Sequence, residues 1–187
     1  MNCQSTFTWL NMRFTRSMLI AAILSCCTFC INVYAHVHAH VHGLAQLNVL
    51  VDDNQLTLDL DVPLESLLGF EHSPRNDSQR QAVNVLMQQL NQSNTLVQPD
   101  ESGICVRQSI EVTSPASIST NHHAQAHADL SYRVTFTCAQ INKVGFIQLG
   151  FFRAFSRLET IQTQIATSKR QFKQTLKRPN EVIKLLR

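Results

Sequence analysis

Four histidines fall within seven residues, in His36-Val37-His38-Ala39-His40-Val41-His42. A neutral imidazole nitrogen is a good ligand for zinc, copper and nickel, and several on one chain lower the entropic cost of closing a coordination shell. In an extended segment the every-second spacing sends all four rings to one side. Neighbouring Cα atoms are then about 6.5–7 Å apart, so an adjacent pair can chelate one ion with Zn–N bonds of about 2.0–2.1 Å. A second group, Asn121-His122-His123-Ala124-Gln125-Ala126-His127, lies in a polar stretch of small residues. If it turns helical, His123 and His127 share a face at i, i+4; if it stays irregular, the three rings are mobile ligands. The plain alternative for both groups is a solvated histidine run that takes up metal only adventitiously. His72, the remaining histidine, sits in Gly69-Phe70-Glu71-His72-Ser73-Pro74. The adjacent carboxylate can orient the ring or itself supply a ligand, and a histidine hydrogen-bonded for packing is the plain alternative.

The elements that must carry these residues begin after an export signal. Arg13 and Arg16 precede an apolar run from Met18 to Ile31, and small residues end at Val33-Tyr34-Ala35. This pattern predicts a cleaved signal peptide over 1–35 and a mature domain over 36–187 in the periplasm. The run is short for a bilayer span, and no later segment approaches the roughly 20 apolar residues that crossing needs, so stable membrane insertion is not expected. A lesser alternative is lipoprotein processing at Cys26, after Ile23-Leu24-Ser25. Removal of the signal leaves 14 basic against 13 acidic residues, a net charge of +1. Near-neutrality argues against a nucleic-acid partner, which calls for a strongly basic face. The basic residues concentrate in the final stretch, from Lys169 to Arg187, where an acidic partner, lipid headgroups or simply solvent would meet them.

Four cysteines leave with the signal, and only Cys105 and Cys138 remain. An even pair in an oxidising compartment points to a disulfide, with two buried free thiols as the alternative. The bond would withdraw both sulfurs from metal binding.

Alternation at Ala45, Leu47, Val49 and Val51, turn chemistry at Asp52-Asp53-Asn54, and alternation again at Leu56, Leu58, Leu60 and Val62 predict a β-hairpin with one buried face. Pro63 should end its second strand. Val83, Leu86, Met87 and Leu90 stand at helical spacing behind Asn76, an N-cap three residues before Gln79. Two further strands are expected through Ile104, Val106, Ile110 and Val112, and through Leu130 to Cys138, with the disulfide joining them. A buried strand over Val144 to Phe152, one through Ile161, Thr163 and Ile165, and a last one over Val182 to Leu186 complete the pattern. Strands outnumber helices without alternating with them, which predicts one α+β domain with a mainly antiparallel β-sheet and one amphipathic helix.

The start His-x-His-x-His-Gly-x-Ala-x-Leu (38 to 47), the hairpin after it, Gly-Phe-Glu-His-x-Pro (69 to 74) with Gln79 beyond, and Cys105 with Cys138 around a histidine loop together resemble the zinc-regulated periplasmic proteins of the ZrgA type. The resemblance covers essentially the whole mature chain. It implies a small exported zinc-uptake protein in which His38, His40, His42 and His72 match the family's histidine positions, and Cys105 and Cys138 its cysteine pair. The chain departs from the family twice. The central loop, long and packed with His, Asp and Glu in many members, here holds only His122, His123 and His127 with Asp129 nearby. Arg170-Gln171 also stands where the family would show Gly-Gln.

Zinc is thus the expected ligand, bound by His36, His38, His40, His42, His72, His122, His123 and His127. The expected partner is an inner-membrane zinc importer or its solute-binding protein. Cleavage after Ala35 would open another possibility, since a free amine at His36 with the imidazole of His38 forms a square-planar chelate suited to copper(II) or nickel(II). A zinc-dependent hydrolase would need three fixed ligands, an open water position and a general base. Glu71 is the one obvious base, and the sequence holds neither a His-Glu-x-x-His helix nor a nucleophile elbow, so a binding protein rather than an enzyme is expected.

Overall fold

Alternate residues are apolar from Ala45 to Val51 and again from Leu56 to Val62, and the chain folds this stretch into the expected hairpin, β1 (Leu44–Asp52) and β2 (Gln55–Pro63). The structure, a computed structural model, describes residues 41–113 and 129–185. Asp53 takes the left-handed conformation at the turn, with φ 47°, as a short polar residue can without large strain. Pro63 is the last residue of β2, opposite Asp129, and the chain turns there directly into a short helix, α1 (Leu64–Leu68).

The helix expected at Asn76 is α2 (Asp77–Gln92); the Asn76 side chain accepts the Gln79 N–H at 2.9 Å, while the Gln79 side chain accepts the Arg75 N–H at 2.7 Å. Both contacts occupy backbone donors that an uncapped helix start would leave open. Val83, Leu86 and Leu90 form its buried stripe.

Beyond it come β3 (Val97–Pro99), β4 (Cys105–Thr113), β5 (Asp129–Cys138), β6 (Phe146–Leu149), the one-turn α3 (Phe151–Ala154), β7 (Thr160–Thr167), β8 (Gln171–Lys177) and β9 (Val182–Lys184). Six of the strands form one sheet in the order β4-β5-β2-β1-β7-β8, and three form a second, β3-β6-β9. Every pairing is antiparallel except β1 with β7. The α+β class with a mainly antiparallel architecture therefore holds, divided between two sheets. The inner face of the large sheet carries Leu47, Val49, Leu58, Leu60, Val134 and Ile161, and it shares one continuous core with Leu86 and Leu90 of α2, Ile147 and Ile183 of the small sheet, and Phe151, Phe152 and Phe155. Tyr132 meets Phe151 edge-on inside this core, and burial pushes its phenol above the ordinary tyrosine range. The opposite face is polar. There Arg133 donates to Asp59 at 2.6 Å, and that hydrogen bond raises the guanidinium pKa further.

Several expectations shift in detail. Ile104 is not in a strand: it caps a 3₁₀ turn, Glu101–Gly103, at φ 49°, and β4 begins at Cys105. A bulge between Arg107 and Ser109 then breaks the alternation, so Val106 faces out while Ile110 and Val112 face the core. The stretch 144–152 divides into β6 and α3 rather than one strand. Strand β8 is hidden by its basic residues, since Phe172 and Leu176, which turn inward, are each followed by a lysine, Lys173 and Lys177. The turn before it is closed by Thr167, whose N–H donates to the Arg170 carbonyl at 2.9 Å. Arg170 keeps a negative φ there, so the turn does not need a glycine at that position.

Cys105 and Cys138 are paired across β4 and β5 as a disulfide, 33 residues apart in sequence. Closing a loop of that length removes unfolded-state entropy worth about 3–4 kcal/mol. Replacing both cysteines by alanine is expected to lower the unfolding free energy by about that amount, read from urea titration of the oxidised wild type and the variant side by side.

Candidate metal site

The site is built outward from Gly43, between the last histidine of the leading run and the first residue of β1. Gly43 has φ 75°, and a Cβ there would stand 3.1 Å from the Arg157 carbonyl oxygen and 3.4 Å from the Glu159 side chain. Its N–H donates to the Ser66 hydroxyl at 2.9 Å, and Ser66 is completely buried. Its carbonyl accepts the N–H groups of both Glu159 and Thr160, at 2.8 and 2.9 Å. Two distant segments are thereby tied to Gly43, and the next residue back, His42, is held above α1.

There His42 Nδ1 lies 3.1 Å from Glu65 Oε2 and 3.8 Å from Glu71 Oε1. Glu65 belongs to the first turn of α1, whose dipole favours a carboxylate at that end. Its other oxygen, Oε1, lies 3.6 Å from the Arg157 guanidinium. Gly69 closes α1 in the left-handed conformation, φ 82°, and a Cβ on it would come within 2.9 Å of Arg157 Nε. This position in the Gly-Phe-Glu-His motif therefore has two reasons to lack a side chain: the backbone conformation and the passage of Arg157. The loop that presents Arg157 is itself clamped by Arg178, which donates to the carbonyls of Phe155 and Leu158, each at 2.8 Å, and lies over the Phe152 ring.

His72 stands two residues beyond Phe70, with their rings stacked at 5.3 Å between centroids. Its Nδ1 lies 2.9 Å from the Ser73 carbonyl oxygen. A carbonyl can only accept, so Nδ1 carries the proton and the Nε2 lone pair remains for a ligand, the tautomer common in metal-binding histidines.

Of the eight histidines predicted as ligands, His42 and His72 are therefore placed; His36, His38, His40, His122, His123 and His127 lie outside the described residues. Among the described residues no group of three or more histidine, cysteine, aspartate or glutamate side chains stands ready to hold a metal ion as it is. None of their helices is long and apolar enough to cross a membrane. The sequence reading missed Glu65, Ser66 and Arg157. A carboxylate in a five-residue helix and a single arginine 92 positions away carry no spacing signal; only the fold brings them together.

A family model described as ZrgA family zinc uptake protein matches residues 39–185, a span that takes in Gly43, the Gly-Phe-Glu-His turn, both cysteines and Arg157. The chain belongs to that family. Comparison with curated proteins finds no match. Within this ZrgA-family chain the family motif thus acquires a physical reading: Gly69 admits Arg157, and the turn that follows carries Glu71 to His42.

Two substitutions test this frame. Ser66→Ala leaves the buried Gly43 N–H without its acceptor and is expected to destabilise by about 1–3 kcal/mol. Gly69→Ala forces a Cβ into a left-handed position, with an expected loss of about 1–2 kcal/mol. Both are read as shifts of the denaturant midpoint at unchanged slope.

Proposed function

We propose that the protein is exported through cleavage of residues 1–35 and acts in the periplasm as a non-enzymatic zinc carrier. It takes up zinc on neutral imidazoles of His36, His38, His40, His42, His72, His122, His123 and His127 and delivers it to an inner-membrane importer or its solute-binding protein. Membership of a zinc uptake family supports the cargo. The disulfide supports an oxidising compartment.

One observation carries the choice of histidines. The register pairs Gln46 with Asp61, Pro63 with Asp129, and Ser131 with Thr113. The start of β1, the end of β2, the start of β5 and the end of β4 therefore lie at one end of four neighbouring strands. The leading histidine run joins the sheet at the first of these points, and residues 114–128 join it at the last two. With strands about 4.8 Å apart, the anchor points of the two histidine groups on β1 and β5 are separated by only about 10 Å. This common end supports reading both histidine groups as ligands of one binding region.

Imidazole must be unprotonated to ligate, and the ordinary histidine pKa is about 6.5. Zinc titration of the mature protein at pH 7.5 and pH 5.5 is expected to show affinity falling by more than tenfold at the lower pH, since several imidazoles must lose protons together. Equal affinity at both values would rule out imidazole ligation, and so would zinc retained at full strength by protein lacking both histidine groups.

A further inference from the structure

We propose that the free edge of β8 takes up an extended acidic segment of a partner protein as an added strand. This goes beyond the zinc reading and does not depend on the cargo. Strand β8 ends the large sheet beside β7, as β4 ends it on the other side. The Thr167 N–H donates to the Arg170 carbonyl and the Arg178 N–H to the Glu159 carbonyl. Hydrogen-bonded pairs alternate along an antiparallel ladder, so Ile165 with Phe172, Thr163 with Gln174 and Ile161 with Leu176 are bonded in the same way. The N–H and carbonyl groups of Gln171, Lys173 and Thr175 therefore point away from β7, along the open side of the sheet. Among the described residues no other backbone group takes them. The register of β8 on β7 runs from Gln171 to Lys177 without a bulge, whereas the β4 edge is broken by one.

Charge decides what this edge admits. From Thr160 to Asn180 the chain has five basic residues and no aspartate or glutamate. Lys173 and Lys177 are exposed on the outer face, and neither meets a carboxylate among the described residues. Lys184, exposed on β9, adds a third charge at the same edge. Its N–H donates to the Gln174 side chain at 3.1 Å, and that side chain donates to the Val182 carbonyl at 3.0 Å, which holds β9 against β8. Gln164 and Asn48 continue the row of Lys173 across the outer face, and with Leu50, Ala166 and Gln171 of the next row they line a shallow cleft of about 360 Å³. No carboxylate stands in either row beside Lys173 to neutralise it. A second copy of β8 brought to this edge would set lysine near lysine, the arrangement by which edge strands resist self-pairing. An acidic strand instead gains main-chain hydrogen bonds and places a carboxylate, at every second position, beside Lys173 and Lys177. An anionic lipid surface would use the charges and leave the backbone groups unread, so the protein strand is the better fit.

The test is binding of a short fluorescein-labelled peptide of alternating glutamate and threonine to the mature protein, read by fluorescence anisotropy at pH 7.5. Lys173→Glu and Lys177→Glu are each expected to weaken binding by about tenfold, since like charges then face each other. Arg75→Glu, at an exposed position before α2, makes the same change in net charge and is expected to leave the affinity within about twofold of wild type. Circular dichroism melts check that the variants fold. Peptides methylated on alternate backbone nitrogens test the unchanged protein: methyl groups on one set block the hydrogen bonds to β8 and abolish binding, while on the other set they face away and leave it in place. Absence of peptide binding, an equal loss in Arg75→Glu, or an equal effect of methylation at the two sets would overturn the proposal. So would capture of the protein by phosphatidylglycerol vesicles without binding of the peptide, which would mark a lipid-facing surface instead.

Discussion

The peptide of Gly43 joins three segments that are far apart in sequence. Its N–H is held by Ser66 of α1, and its carbonyl takes two N–H groups from the start of β7. These bonds open the parallel ladder between β1 and β7, the one pairing in the large sheet that a hairpin cannot make. A parallel neighbour needs a long crossover, and here that crossover is nearly the whole domain. Hairpins supply β1–β2, β4–β5 and β7–β8, and the pairing of β2 with β5 is a second contact between segments far apart in sequence. The Gly43 bonds decide where the leading histidines enter the fold and which face of α1 they meet.

Much of this was legible as period. The β1–β2 hairpin announces itself because Leu47, Val49, Leu58 and Leu60 alternate with residues that prefer water. The helix α2 does so because Asn76 and Gln79 bracket a 3.6-residue pattern. Period fails where a strand lacks a clean apolar face. In β8 Lys173, Gln174 and Thr175 separate Phe172 from Leu176, and in β4 the bulge after Arg107 moves Val106 from the inward set to the outward one. It also says nothing about partners. No local signal pairs β1 with β7, and none brings Arg157 to Glu65, since those contacts arise from the global fold and not from neighbours in sequence. The histidines themselves were found by residue type and spacing, and two of the eight, His42 and His72, can be followed into the fold.

Donor chemistry then limits what kind of zinc protein this can be. Cys105 and Cys138 are joined at the base of the β4–β5 hairpin, while Thr113 and Asp129, between which the second histidine group runs, are at its far end. Thiolates, which favour closed structural zinc sites, are thereby both spent and remote. Imidazole and carboxylate remain. Such a set suits an ion that has to leave again, because open positions can be taken by water or by ligands of an acceptor, whereas a closed four-sulfur site offers an acceptor no point of entry. Gly43, Ser66 and Arg178 hold the backbone on which the exposed His42 stands. A fixed backbone beneath a solvent-facing imidazole lowers the cost of ordering that side chain when a ligand binds.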